Sequence, residues 1–261
     1  MNEQLKKNGY VVIHNVLNDK EIDTATGLFN NWRLLNSPVI GPNGIIKENH
    51  IGHQEHAWYI RTRPSVINVF QDVWETDDLI TSFDGSCYMS KTDRYDGYWT
   101  HADQSTINTD FRCYQGLVSL TTNKHKTLMV YGGTHLLYGS YVKQYNKSNE
   151  GNFNIIDEEY VKDKQKTIIP VEKGSMIIWD SRLFHQNQCG GPNNEERMVQ
   201  YVCYMPRSYN TPENVVRRKY AFDNRITSSH WPVPIRFGHC KPPTIELFNM
   251  DPYMESILKI L

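Results

Sequence analysis

The stretch Tyr98-Trp99-Thr100-His101-Ala102-Asp103 sets the reading of this chain. It has the make-up of a short β-strand ending in a His-x-Asp pair, and side chains two apart on a strand point to the same face. An imidazole and a carboxylate held that way can grip one metal ion together, provided a third ligand arrives from elsewhere. Such a pair turns up by chance at about this frequency in a chain with 10 His, so its surroundings decide the matter.

On both sides of the pair the pattern is short β runs broken by turn residues. Leu79–Phe83 precedes it; Tyr114–Thr122, Leu128–Tyr131, Thr167–Val171, Ser175–Trp179 and Met198–Tyr204 follow. Many short strands at loose but regular spacing indicate a sandwich or barrel. The N-terminal part differs. The turn Asn8-Gly9 leads into the β-rich run Tyr10–Ile13, so the chain is expected to open with a strand and continue with an amphipathic helix. Asn18, with Glu21 three residues on, forms a capping-box pattern, and Ile22, Ala25, Leu28, Phe29 and Trp32 follow at helical spacing. Pro64 fits the first position of a second helix, whose apolar stripe is Val66, Val69, Phe70, Val73 and Trp74. Helices packed outside antiparallel sheets make the expected class α+β, mainly β. The length of 261 residues, with no linker-like run, fits a single domain over residues 1–261.

The formal net charge is -1 and no long basic block occurs, which argues against nucleic acid or anionic membrane as a partner. Arg217-Arg218-Lys219, the densest basic cluster, reads as a solvated helix face. Met1–Lys7 has no apolar core of a signal peptide, and no run approaches the ~18 apolar residues of a membrane span. The five cysteines (87, 113, 189, 203 and 240) form no C-x-x-C. Reduced thiols and a cytoplasmic location are the expectation. Oligomeric state is not legible.

The third ligand is sought on the later strands. Lys173-Gly174 turns into Ser175-Met176-Ile177-Ile178-Trp179-Asp180, and Ser181-Arg182-Leu183-Phe184-His185 follows. After the turn Gly190–Asn194, Arg197 opens the next strand. His185 and Arg197 therefore read as neighbours on antiparallel strands joined by a hairpin. His101, Asp103 and His185 would give two imidazoles and one carboxylate with other positions open, the arrangement of non-haem Fe(II) oxygenases. Arg197 cannot ligate a cation, but its guanidinium matches a carboxylate through two parallel hydrogen bonds. A cosubstrate that chelates metal at one end and carries a carboxylate at the other, as 2-oxoglutarate does, suits both. A rival cluster exists in the loop-like residues 36 to 57, where His50, His53 and His56 are spaced by three. That spacing matches no zinc motif, and no Cys lies nearby, so a structural or substrate-facing role is expected. His135, in the turn Gly132-Gly133-Thr134-His135, reads as a cap on backbone groups. The polar stretch from Tyr138 to Lys166 reads as a long insertion or lid over the site.

These residues, in this order and spacing, resemble the phytanoyl-CoA dioxygenase-like family of Fe(II)/2-oxoglutarate oxygenases. The family has a His-x-Asp on an early core strand, a distal His after a Gly-Asp/Ser-hydrophobic-Trp-type strand, and an Arg about a dozen residues further on. Here these are His101, Asp103, His185 and Arg197. The opening Gly9-Tyr10-Val11-Val12-Ile13 with Val16-Leu17 also resembles the family, as does Phe83-Asp84-Gly85. The resemblance runs from Gly9 to at least Pro206 and extends toward Thr227-Ser228-Ser229-His230-Trp231-Pro232.

It implies a double-stranded β-helix, a jelly-roll or cupin-like core with flanking helices. It also implies Fe(II), 2-oxoglutarate and O2, with ascorbate as an activator and a small molecule as substrate. The activity implied is that of a dioxygenase that hydroxylates an unactivated C–H while releasing succinate and CO2. By family analogy, halogenating relatives replace the metal carboxylate with a small residue; with Asp103 present, hydroxylation, desaturation or ring closure is favoured. Two departures stand out. Gly133-Thr134-His135 replaces a Gly-Ser-His, and Asn187 stands where a hydroxyl often helps hold the cosubstrate. Asn187 can still donate to a carboxylate, and Gln115 is a further candidate cosubstrate contact. Phe111, Tyr131, Trp179 and Phe184 are candidates for the pocket wall or the core. A cupin-like metal-dependent hydrolase or isomerase, or a non-catalytic jelly-roll binding protein, would have no need of Arg197.

Overall fold

The computed structural model describes the chain except residues 47–49, 95–96, 146–150, 191–193 and 238–246. The first third holds α1 (Asn2–Asn8), β1 (Tyr10–Ile13), α2 (Asp19–Asn36), β2 (Ile45–Ile46), α3 (Glu55–Arg61), α4 (Pro64–Trp74), β3 (Leu79–Thr81) and β4 (Ser86–Met89). The middle holds β5 (His101–Ala102), β6 (Tyr114–Ser119), β7 (Thr127–Tyr131), α5 (Tyr138–Gln144), β8 (Asn154–Ile155), α6 (Glu158–Val161) and β9 (Thr167–Ile168). The last part holds β10 (Met176–Asp180), β11 (Phe184–Gln188), β12 (Arg197–Val202), β13 (Tyr204–Pro206), α7 (Pro212–Asp223) and α8 (Met254–Ile260).

The strands form a six-stranded sheet in the order β1-β10-β6-β12-β4-β2, a five-stranded sheet in the order β8-β5-β11-β7-β9, and the pair β13-β3. All the pairings are antiparallel. Period-two alternation explains the layering. Met89, Leu117, Ile177, Trp179 and Val199 from the larger sheet meet Leu128 and Val130 from the smaller one in a shared inner core. Their strand neighbours Val118, Met176, Ile178, Met198 and Val202 face the other way and pack on Phe29, Trp58, Phe70 and Val73 of the helices. Beyond the smaller sheet, Met129, Tyr131 and Phe184 pack on Tyr138, Tyr141 and Val142 of α5. The site therefore lies between two sheets that are each braced from outside.

The expected mixture of helices and antiparallel sheets is present. The capping box at α2 forms as read, with Glu21 N donating to Asn18 Oδ1 at 3.0 Å and Asn18 N to Glu21 Oε2 at 3.0 Å, and Pro64 opens α4. Four expectations need correction. First, the chain opens with helix α1, which Gly9 ends in a left-handed conformation (φ 79) before β1 begins; only Leu5 of its residues is buried, too weak a stripe to show as periodicity. Second, His185 and Arg197 do not share a hairpin. β11 pairs with β5 and β7, whereas β12 pairs with β4 and β6, so the connection crosses from one sheet to the other. Third, Arg218 is buried, donating to Thr81 O at 2.7 Å and Leu261 O at 2.9 Å, so only its exposed neighbours Arg217 and Lys219 fit the solvated face. Fourth, the stretch from Tyr138 to Lys166 lies over the site as expected, its Asn152, Phe153 and Ile155 lining the cavity, but it also carries α5, β8 and α6, and its Tyr138, Tyr141, Ile156 and Val161 are core residues. Its paucity of regular apolar spacing hid these packed elements, which flank residues 146–150 outside the described part of the chain. Four cysteines are free and buried; Cys240 lies outside the described residues, as does part of the turn Gly190–Asn194. Among the described residues no helix is long and apolar enough to cross a membrane.

Candidate metal centre

His101 on β5 and His185 on β11 are directly paired across the smaller sheet. β5 is only two residues long, shorter than the expected Tyr98–Asp103, and Asp103 follows it with its side chain returned to the same face. The two imidazoles sit with ring centroids 4.4 Å apart. Each spends Nδ1 on a nearby backbone carbonyl: His101 on Trp99 O at 3.0 Å, His185 on Leu183 O at 2.8 Å. That fixes both rings with Nε2 forward, the usual way a protein orients an imidazole ligand. His101 Nε2 lies 3.3 Å from Asp103 Oδ1, and His185 Nε2 lies 3.2 Å from Asp103 Oδ2. Ligands ~2.1 Å from one ion at right angles are about 3 Å apart, so the spacing suits a shared ion. Among the described residues this is the one group of three or more His, Cys, Asp or Glu whose ligand atoms converge, all within 4.8 Å.

Burial pushes the Asp103 carboxyl up, but the neighbouring His230 and His101 and the hydrogen bonds from His101 and His185 outweigh it and hold it well below the usual carboxylate range. Burial, helped by His101, lowers the His185 imidazole, with Asp103 opposing. An ionised carboxylate beside a neutral imidazole is what metal ligation requires. Trp99 braces the ensemble. Its ring stacks on His101 at 4.7 Å and its Nε1 donates to Asn187 O at 3.0 Å.

The centre opens on a cavity of about 310 Å³. On β11 Asn187 follows His185 on the same face; its Nδ2 donates to Tyr201 Oη at 2.7 Å and to Asn43 O at 3.2 Å. Just beneath lies Arg197, 1 % exposed. Its Nη1 meets only the Cys87 sulfur at 3.7 Å, and its Nε and Nη2 have no partner. The carboxylates that might have paired with it are engaged elsewhere. Asp180 binds Arg182 at 2.7 Å, Glu196 accepts from Tyr88 Oη at 2.6 Å, and Glu195 accepts from three backbone amides at 124–126. A buried guanidinium left this bare is costly, and it fits an incoming carboxylate. Burial raises the Tyr201 phenol, keeping it a protonated donor beside Asn187.

Gln115 on β6 lines the cavity but is taken up by protein groups. With its amide turned to satisfy both ends, Nε2 donates to Asp103 Oδ2 at 2.8 Å and Oε1 accepts from Trp231 Nε1 at 3.0 Å. Of the four aromatic candidates for the wall, Trp179 lines the cavity. Tyr131 and Phe184 belong to the outer core, and Phe111 packs on Trp74 and Tyr114.

The rival histidines do not converge. His50 Nδ1 donates to Arg225 O, His53 Nε2 to Ile226 O, and His56 Nε2 to Ser86 Oγ. His135 Nε2 donates to Lys6 O at 3.1 Å, near the end of α1. Sequence reasoning missed the site role of the 229–231 turn. His230 Nδ1 approaches Asp103 Oδ1 at 3.7 Å, its Nε2 donates to Asn152 O at 3.0 Å, and Asn152 Nδ2 donates to Ser229 Oγ at 2.6 Å. No local spacing could show contacts between segments so far apart in the chain.

Residues 5–193 match the family model described as phytanoyl-CoA dioxygenase (PhyH). The chain belongs to the phytanoyl-CoA dioxygenase family. The chain is 28% identical over 200 residues to "Ava biosynthesis cluster protein O" of Aspergillus versicolor, covering 70% of this chain and 64% of that protein's length. Its fold resembles that of the non-haem alpha-ketoglutarate-dependent carbocyclase SnoK from nogalamycin biosynthesis: TM-score 0.60, 14% identity, covering 78% of this chain and 81% of that one. It also resembles EctD from S. alaskensis with bound Fe: TM-score 0.55, 18% identity, covering 79% and 75%.

Proposed function

We propose that this chain is an Fe(II)- and 2-oxoglutarate-dependent dioxygenase that hydroxylates an unactivated C–H of a small organic substrate. Residues 1–261 form one catalytic domain in this reading, and the two facing sheets are its double-stranded β-helix, or jelly-roll. The observation that carries it is the pairing of an open His101–Asp103–His185 cluster with a buried Arg197 guanidinium, two of whose nitrogens have no partner, between the same two sheets. A cupin-like hydrolase or a binding module leaves that guanidinium without a purpose.

His101, Asp103 and His185 would hold the metal at the wall of the cavity they line. Arg197 receives the distal carboxylate of 2-oxoglutarate through its two bare nitrogens, with the Tyr201 hydroxyl as a further donor; Asn187 spends its Nδ2 hydrogens on Tyr201 Oη and Asn43 O and orients that hydroxyl. When bound, the iron supplies, with O2 and 2-oxoglutarate, an oxidant strong enough to take hydrogen from an unactivated carbon. The chain's part is placement and exclusion of water. Trp99, Asn152, Phe153, Ile155, Ser229 and His230 form the wall left for the substrate. No Lys or Arg is among the described lining residues, so an uncharged small molecule is favoured over an acyl-CoA. The test is incubation of the protein with Fe(II), ascorbate, 2-oxoglutarate and a metabolite extract. Succinate should form in step with a product one oxygen atom heavier. A product two hydrogens lighter would redirect the proposal to desaturation or ring closure, and turnover without 2-oxoglutarate would end it.

A further inference from the structure

The carboxylate of Asp103 is gripped by more than its histidines. Oδ1 faces His101 Nε2 at 3.3 Å and His230 Nδ1 at 3.7 Å. Oδ2 faces His185 Nε2 at 3.2 Å and receives a 2.8 Å hydrogen bond from Gln115, whose own oxygen is held by Trp231 Nε1 at 3.0 Å. Gln115 is 2 % exposed and Trp231 7 %. The Trp231 ring is seated among Cys113, Cys203 and Met205. The backbone after it is anchored as well: Asn214 Nδ2 donates to Pro232 O at 3.0 Å, and Ile235 N donates to Asn214 Oδ1 at 2.7 Å. A donor fixed to the core thus fixes the amide, and the amide fixes one oxygen of the carboxylate.

We infer that Trp231 and Gln115 form a positioning relay that fixes the plane of the Asp103 carboxylate between His101 Nε2 and His185 Nε2. This rests on the metal-binding reading of the site. The physical reason is orientation. A carboxylate with no further anchor is free to rotate away from the two imidazole nitrogens. A strong donor on one oxygen removes that option and sets the carboxylate plane, as outer hydrogen bonds do at other metal sites. Gln115 cannot serve as a ligand itself, because its oxygen is committed to Trp231 and its nitrogen carries only hydrogens toward Asp103. The relay draws on the turn Thr227–Pro232, which lies beyond the family match over residues 5–193. That turn supplies Trp231 to the relay and ties to Asn152 on the substrate wall through Ser229 and His230.

The experiment uses the full chain and Co(II) alone as the probe, titrated by visible absorption, with thermal melting of the metal-free proteins as a fold control. Gln115→Leu should weaken Co(II) binding by roughly 10- to 100-fold. Trp231→Phe keeps the ring and removes only the N–H; it should weaken binding in the same direction by less. The decisive reading is the cycle: in the Gln115→Leu background, Trp231→Phe should cost nothing further, because the relay is already cut. If Gln115→Leu melts too early to titrate, Trp231→Phe alone must still lower Co(II) affinity. Wild-type affinity in a folded Gln115→Leu protein, or losses that simply multiply in the double variant, would overturn the relay. A wild-type chain that takes up no Co(II) overturns the metal reading of the site and the relay with it.

Discussion

Two groups of histidines occupy this molecule, and they differ in how their nitrogens are used. His53 and His56 spend Nε2 on Ile226 O and Ser86 Oγ and bury Nδ1 without a partner. Their rings lie in aromatic packing: His56 stacks on Phe29 at 4.5 Å, and His53 lies 4.8 Å from Phe83. His101 and His185 spend Nδ1 on the backbone and send both Nε2 atoms to one carboxylate. The two arginines Arg61 and Arg197 repeat the contrast. Arg61 donates to Gly52 O and Asp84 O, whereas Arg197 has only a sulfur within reach. What separates a structural region from a reactive one here is convergence of groups that the fold itself leaves unused.

The largest effect should come from exchanging the two histidine groups in a metal-binding assay. His101→Ala or His185→Ala should abolish Co(II) and Fe(II) uptake and 2-oxoglutarate turnover while leaving the melting temperature close to wild type. His53→Ala or His56→Ala should bind metal normally and lose about 2–3 kcal/mol of stability, the range for emptying a buried, packed site. Metal loss in the His56→Ala protein, paired with full uptake in His185→Ala, would reverse the assignment.

Arg197 comes next. Truncating one partner of a buried charge pair costs about 3–5 kcal/mol, and each ~1.4 kcal/mol is tenfold. Arg197→Met should therefore raise the apparent KM for 2-oxoglutarate by roughly two to three orders of magnitude at unchanged Fe(II) affinity. Arg197→Lys should recover only part, because an ammonium lacks the planar fork. An Arg197→Met protein with a normal KM would show that the bare guanidinium is not the cosubstrate's partner.

Much of this contrast was legible beforehand. The His101–Asp103 pair is local, and period two places both side chains together; His185 and Arg197 were found because a turn-strand-turn pattern frames them. Their arrangement was not legible, since nothing in residues 185–197 shows that the chain leaves one sheet for the other. Arg218 looked solvated because its burial depends on Thr81 and the C-terminal Leu261, each far away in sequence. The relay through Gln115 and Trp231 was hidden for the same reason. The glycine in Phe83-Asp84-Gly85 has a physical need behind it: a Cβ at Gly85 would lie 2.2 Å from Ile46 O. Gly85→Ala should disturb the β2–β4 pairing and lower the melting temperature without removing a metal ligand.

The smallest effect concerns pH and falls on the structural histidines. Burial, with Arg61 adding to it, lowers the His56 imidazole from its ordinary 6.5 to about 3, and burial likewise holds His53 well below the ordinary range. Each is thus neutral when folded and takes up a proton more readily when unfolded. The unfolded chain binds more protons between about 3 and 6.5, so stability falls as pH drops through that window and is fully present above 6.5. Each such group contributes at most about 1.4 kcal/mol per pH unit. Denaturant melts of the metal-free protein at pH 7.5 and at about pH 5 should show this loss. In His56→Ala the slope should be shallower by close to one proton's worth, because the group that titrates is gone. An unchanged slope would mean that His56 is protonated in the folded state, which its burial near Arg61, with no acceptor for Nδ1, does not accommodate. Asp103 acts in the same direction at lower pH: held low when folded, its stabilisation is lost only as pH falls through the ordinary carboxylate range, below the onset of the histidine effect. His185, also lowered by burial, adds to the same loss below the ordinary imidazole range, so the slope change in His56→Ala, rather than the onset pH, isolates the structural histidine.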